Sequence, residues 1–172
     1  NNPQGPPAGN SLAKNIDSYQ EAFDLLFKSV VHTTSLVIPG MQKNKWGRII
    51  NVTSVSVKEP LNYLVLSNSI RSAVVAWAKS LSVDLGPHGI TVNSILTGYF
   101  DTERIKELNK EKSKSLNISE AEVLDKMKSL VPASRLGRPE EYGYLVSFLS
   151  SDNAAYINGA SIPIDGGLLK SY

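Results

Sequence analysis

The chain has 172 residues, with 18 Lys and Arg against 16 Asp and Glu, for a formal net charge of +2. That length suits one domain or part of a larger one, and 41% hydrophobic with 20% charged residues can fill a core, which excludes wholesale disorder. The small, mixed charge excludes the basic face that phosphate neutralisation needs, and the absence of cysteine removes disulfides, thiolate metal sites and cysteine nucleophiles together.

Residues 1–15 are rich in Pro, Gly and Asn and read as a loop. Ser18-x-x-Glu21 has the form of a capping box. It predicts a helix carrying Phe23, Leu26, Phe27, Val30, Val31 and Thr34 on one face and ending near Pro39-Gly40. Arg48 to Val52 is a short β-branched run and predicts a strand. Ser67 to Leu85 predicts a second helix, with Ile70, Val74, Trp77, Ala78 and Leu81 at three- and four-residue spacing and a stop at Gly86-Pro87. Ile90 to Leu96 predicts a second strand. The charged stretch from Asp101 to Lys128 reads as two short helices separated at Asn117-Ile118, the second capped by Ser119-x-x-Glu122. It is either a solvated excursion or a mobile cover over a site. Pro139 opens a helix through Leu149, and Ala160 to Ile164 predicts a third strand before the Asp165-Gly166-Gly167 turn.

Strands separated by helices imply parallel, right-handed crossovers with helices on both sheet faces. The fold class is therefore α/β, a doubly wound parallel sheet. Three strands leave an unpaired edge, and no G-x-G-x-x-G segment is present. Residues 1–172 are thus expected to be the C-terminal portion of a single Rossmann-like domain, with the Gly-rich nucleotide-binding half outside this chain. His32 and His88 are far apart and lack partner His residues, so no metal site is expected. No apolar run approaches the roughly 20 residues that span a bilayer, and the first residues lack the pattern of a signal peptide. The expected setting is the cytoplasm, with neither a membrane nor a nucleic acid as partner.

The succession Asn1-Asn2, Gly47 to Ser54, Gly89 to Asn93, Thr97-Gly98-Tyr99-Phe100-Asp101-Thr102, Gly137 to Glu141 and Asn158-Gly159 through Gly167 resembles the short-chain dehydrogenase/reductase family. The likeness is to an atypical branch related to β-ketoacyl-acyl-carrier-protein reductases, in which Ser-Asn-x-x-Arg stands in place of Tyr-x-x-x-Lys. It implies a Rossmann-like sheet and an NAD(P)-dependent oxidoreductase resembling 3-oxoacyl-acyl-carrier-protein reductase, acting on a small carbonyl compound or secondary alcohol. The choice between NAD and NADP stays open. It also implies a homo-oligomer.

By the same resemblance Ser54 matches the catalytic Ser, while Ser67 and Arg71 occupy the positions of the Tyr and Lys, and Leu26 that of a helical Asn. Asn2, Ser67, Arg71, Phe100 and Thr102 would contact the cofactor. Read by residue type alone, Ser67 is more simply an N-cap than a proton donor. Arg71 keeps the charge but cannot be a tunable acid. Leu26 reads as core, and Asn51 and Asn93 as structural. Tyr63 and Tyr99 could each supply a phenol, though each reads first as a lining or surface aromatic. The loss of Tyr, Lys and Asn together supports an alternative: a non-catalytic dinucleotide-binding or assembly protein.

Overall fold

The computed structural model describes residues 1–171. The sheet comprises β1 (Gly47–Val52), β2 (Ile90–Thr97) and β3 (Ser161–Ile164), hydrogen-bonded in that order and all parallel. Gly47 to Val52 lie opposite Ile90 to Ile95, and Ser94 to Thr97 opposite Ser161 to Ile164. The predicted strands sit side by side, as the βαβ reasoning requires.

β2 is buried along nearly its whole length, as a strand covered on both faces must be. On one face Ile49, Ile90 and Val92 pack with Ala78 and Leu85 of α3 (Val65–Leu85) and with Met41 of α2 (Ser29–Asn44). On the other face Ile95 packs with Leu149 and Leu145 of α6 (Pro139–Ser150). Alternate strand residues thus feed two separate cores. Two asparagines tie β2 to the segment before β3. Asn93 Nδ2 donates to the Ile157 carbonyl at 2.7 Å while its Oδ1 accepts from Ala160 N–H at 3.0 Å. Asn158 Oδ1 accepts from Val92 N–H at 2.9 Å.

The first helix differs from expectation at both ends. It begins at Ile16 in α1 (Ile16–Phe23) because Asn15, not Ser18, is the cap: Asn15 Oδ1 accepts from Ser18 N–H at 3.0 Å and from Ser18 Oγ at 2.8 Å. A wider π turn over Asp24–Lys28 follows, then α2, which continues through Pro39 to Asn44. Pro39 removes a donor to the Ser35 carbonyl, but both residues are exposed, so water can replace it. The stop is Lys45, in the left-handed region with φ 50°. Inside the π turn Leu26 has no exposed surface, the core position expected of it.

α3 also starts earlier than Ser67. Gly9 and Leu64 form a parallel bridge, with Gly9 N–H donating to the Tyr63 carbonyl at 2.7 Å, and this long-range pairing sets the helix start at Val65. The N-cap reading of Ser67 is therefore overturned: Ser67 lies inside the first turn, buried. α4 (Glu103–Leu116) and α5 (Glu120–Leu130) are the two helices of the charged stretch, and Ser119 caps α5 through the expected box. Among the described residues, no helix is long and apolar enough to cross a membrane.

Candidate active site

The carboxyl ends of the parallel strands open into a cleft of about 1230 Å³. Doubly wound sheets hold ligands at this edge because the strand ends and the loops leaving them converge there. Thr53 and Ser54 leave β1 at the floor, Thr97, Gly98 and Tyr99 leave β2 beside them, Asn2 and Pro3 form one wall, and α4 covers the mouth. Gly98 is required where it stands: a Cβ there would come within 2.6 Å of the Asp165 Cα, so the two exit loops meet backbone to backbone.

Ser54 lies on the cleft, half-buried and extended, with φ −145°. Its Oγ accepts from Ser56 N–H at 3.1 Å, capping the short turn Val55–Val57. That bond uses one lone pair and leaves the O–H free to donate.

Ser67 and Arg71 stand one helical turn apart on α3, both lining the cleft and each only 8% exposed. The Arg71 guanidinium donates to the Val52 carbonyl at 2.6 Å and the Pro3 carbonyl at 3.1 Å. It thereby fixes the end of β1 to the N-terminal segment. Burial pushes the guanidinium below its ordinary value, partly opposed by the Tyr142 phenol nearby.

Asn2 lines the cleft and is exposed; its neighbour Asn1 is the anchored one, with Nδ2 donating to Asn51 Oδ1 at 2.8 Å and Thr34 Oγ1 at 2.9 Å. Phe100 is buried, its ring edge-on to Tyr142 at 5.3 Å, and its backbone bridges to Gly137. Thr102 caps α4, its side chain accepting from Ile105 N–H at 3.5 Å. One cleft thus contains all six residues singled out from the sequence: Asn2, Ser54, Ser67, Arg71, Phe100 and Thr102.

Four further residues belong to the site. Tyr63 and Tyr99 both line it, half-buried, and burial pushes both phenols above their ordinary value. Tyr142, on α6, meets Thr97 Oγ1 at 3.2 Å; burial raises its phenol, with Thr97 and Arg71 opposing. The sequence signal for Tyr142 was hidden in the apolar stripe of α6. Asn109 is the only buried residue of α4, and its Oδ1 has no hydrogen-bond partner among the described residues.

The cover is held by few bonds. Arg104 Nη2 donates to the Pro6 carbonyl at 3.0 Å, and Lys112 Nζ lies 5.3 Å from the centre of the Tyr63 ring. Among the described residues, no group of three or more His, Asp or Glu is placed to hold a metal ion.

The segment behind Phe100 is secured by Glu141. Its two carboxylate oxygens accept from Arg135 at 2.7 Å each, and one accepts from Arg138 N–H at 2.8 Å. These bonds draw the carboxyl from 4.5 down to about 2, Arg135 first. A depressed carboxyl contributes stability above its unfolded value and loses it as acid reaches its folded value. In Glu141→Gln, the thermal midpoint should therefore fall below the parent's by a constant amount above pH 4.5, and the gap should shrink toward pH 2. Calorimetry across that range checks this.

Comparison with known proteins agrees with the geometry. The family described as Enoyl-(Acyl carrier protein) reductase matches residues 4–169. The NADPH-dependent reductase BacG of Bacillus subtilis is 35% identical over 131 residues, covering 76% of this chain and 51% of that protein. The 3-oxoacyl-[acyl-carrier-protein] reductase FabG of Haemophilus influenzae is 35% identical over 159 residues, covering 88% and 60%. The crystal structure of YwfH, an NADPH-dependent reductase involved in bacilysin biosynthesis, superposes with a TM-score of 0.94 at 29% identity, covering all of this chain and 66% of that one. The chain thus spans between half and two thirds of the proteins it resembles. A family match over nearly every residue, with a superposition that covers the whole chain, shows that the chain belongs to the short-chain dehydrogenase/reductase family.

Proposed function

We propose that residues 1–172 are the C-terminal portion of a single Rossmann-like domain in an NAD(P)-dependent oxidoreductase. The substrate is a small carbonyl compound or the matching secondary alcohol, in the manner of a 3-oxoacyl-acyl-carrier-protein reductase. The observation that carries this reading is the meeting of the free Ser54 hydroxyl and the buried Arg71 in one large cleft at the strand ends. NADPH is favoured as cofactor by the names of the relatives. The donor set fits a dinucleotide: a hydroxyl at Ser67 and a guanidinium at Arg71 are suited to ribose hydroxyls, with Asn2, the Phe100 backbone and Thr102 around them. When bound, a reduced nicotinamide supplies hydride.

In this reading Ser54 donates to the carbonyl oxygen and holds it as charge develops there. Arg71 keeps the cofactor wall and the end of β1 in register. α4 excludes water over the reacting atoms. The site lacks the family's Tyr-x-x-x-Lys pair, having Ser67 and Arg71 at those positions. Exposed Leu36, Val37 and Val83 on α2 and α3 support a homo-oligomer, and the absence of cysteine suits the cytoplasm.

The test uses the protein in which this segment continues an amino-terminal nucleotide-binding half. Titration with NADPH and NADH should show binding, and a panel of carbonyl substrates should show cofactor oxidation. Binding with no turnover across the panel would instead support the non-catalytic alternative.

A further inference from the structure

A hydroxyl aimed at a developing oxyanion works only where its backbone is held, because a misplacement of about 1 Å costs roughly 10²-fold in rate. β1 ends at Val52, so the ladder itself stops short of Ser54. Thr53 makes the last tie to β2, its N–H and its Oγ1 each donating to the Ile95 carbonyl at 2.9 Å. A single turn follows. Ser54 Oγ accepts from Ser56 N–H at 3.1 Å, and the Ser54 carbonyl accepts from Val57 N–H at 3.2 Å. The Val55 carbonyl accepts from Lys58 N–H at 3.0 Å and from Glu59 N–H at 3.1 Å. Ser54 and Glu59 are therefore the two ends of one hydrogen-bonded unit.

The Glu59 end of that unit is anchored. Its Oε1 accepts from Lys170 N–H and from Ser171 N–H at 2.8 Å each. These are charge-assisted bonds converging on one oxygen, and they hold the carboxyl below its ordinary value, Ser171 first. The segment that supplies the donors is itself fixed. Asp165 accepts from Gly167 N–H through Oδ1 and from Leu169 N–H through Oδ2, at 2.9 Å each. Asp165 follows β3 directly, and the Ile164 carbonyl before it accepts from Gly98 N–H at 3.0 Å. The bonds thus form a ring. It runs from the exit of β1 through the Ser54 turn to Glu59, along 171–165, and back through the exits of β3 and β2. Burial of Val55 and Ser56 seats the turn, and the ties at Thr53 and Glu59 set its tilt about that seat.

We propose that Glu59 is a positioning residue for the reaction: by gripping the backbone of residues 170–171, it holds the turn that aims the Ser54 hydroxyl at the substrate oxygen. This rests on the reductase reading. Glu59 does not line the cleft, so its influence travels through the turn. The carboxylate acts only as an acceptor, and no bond to substrate or cofactor is made at it. An amide oxygen at the same place would accept from the same two N–H groups, though without the charge.

The experiment uses the protein joined to its nucleotide-binding half and its best substrate from the carbonyl panel. Glu59→Ala should lower kcat by about tenfold, with KM and the NADPH Kd within about twofold of the parent. Glu59→Gln should stay within about threefold of the parent kcat. A chain ending at Leu169 removes both donors and leaves Glu59 in place. It should show the same loss of about tenfold, and Glu59→Ala should add nothing to it. The effect should also vanish with its target: in a Ser54→Ala background, Glu59→Ala should change kcat by less than about twofold.

Independently of turnover, amide hydrogen exchange at 57–59 should quicken by about threefold or more in Glu59→Ala. Three results would each overturn the assignment and leave the reductase reading standing. They are a Glu59→Ala kcat within about twofold of the parent, an equal loss in the Ser54→Ala background, and unchanged exchange at 57–59. A parent that binds NADPH and reduces no carbonyl overturns both.

Discussion

Replacing Ser54 by Ala is expected to lower turnover by roughly 10²–10³-fold, the effect of removing one donor aimed at a developing oxyanion. The loss should fall on kcat, with KM little changed, because the bond strengthens as charge moves onto the carbonyl oxygen. Ser54 also has a local duty: its Oγ accepts from Ser56 N–H at the head of the Val55–Val57 turn. Losing a cap costs about 1 kcal/mol, too little to unfold a domain of ordinary stability. Ser54→Thr separates the two duties, since it keeps a hydroxyl for the cap and for the substrate. Substantial recovery of rate in Ser54→Thr, measured by NADPH oxidation, would tie the loss to the hydroxyl. A Ser54→Ala rate equal to the parent's would remove Ser54 from the chemistry.

Arg71→Leu should be the most damaging change to stability within the cleft. It leaves the Val52 and Pro3 carbonyls without the donors that bond them at 2.6 and 3.1 Å. Hydrogen bonds to charged groups contribute about 1.5–3 kcal/mol each. Part of that is offset because the buried cation no longer has to be desolvated. A net loss of about 2–4 kcal/mol follows, visible as a lower midpoint in urea at unchanged slope. Cofactor affinity should fall as well, because the Asn2–Pro3 wall loses one of its ties to β1 and keeps only those made by Asn1. Arg71→Lys should recover only part of either property: one ammonium cannot span both carbonyls as the planar fork does.

The three strands were readable from β-branched runs because each is short and bounded by Gly, Pro or polar turns. The residues that share the cleft were readable as a group because their order along the chain follows a family pattern. What escaped was set by contacts distant in sequence. The start of α3 depends on the Gly9–Leu64 bridge, so Ser67 looked like a cap and is instead inside the helix. Asn15 outcompeted Ser18 as a cap, and the two are too alike in preference to be ranked without geometry. Pro39 reads as a terminator, yet sits where its missing bond faces water. Tyr142 and Asn109 belong to the cleft only because α6 and α4 are brought to the ends of strands from elsewhere in the chain.

The wide turn at Asp24–Lys28 sets how the two parts of the first helix are oriented about its axis. Each residue of an α-helix turns the chain by about 100°. The extra residue held in that turn therefore offsets Ile16–Phe23 against Ser29–Asn44 by about that angle, while Ala22, Leu26, Val30 and Thr34 all stay buried. Straightening the turn with all its residues kept would swing Ala22 away from the interior, whereas a one-residue deletion within 24–28 would leave a regular α-helix with both flanks in their present phase. A substitution there would leave the offset intact. The turn thus absorbs one residue of chain while the segments on either side keep a common inward stripe.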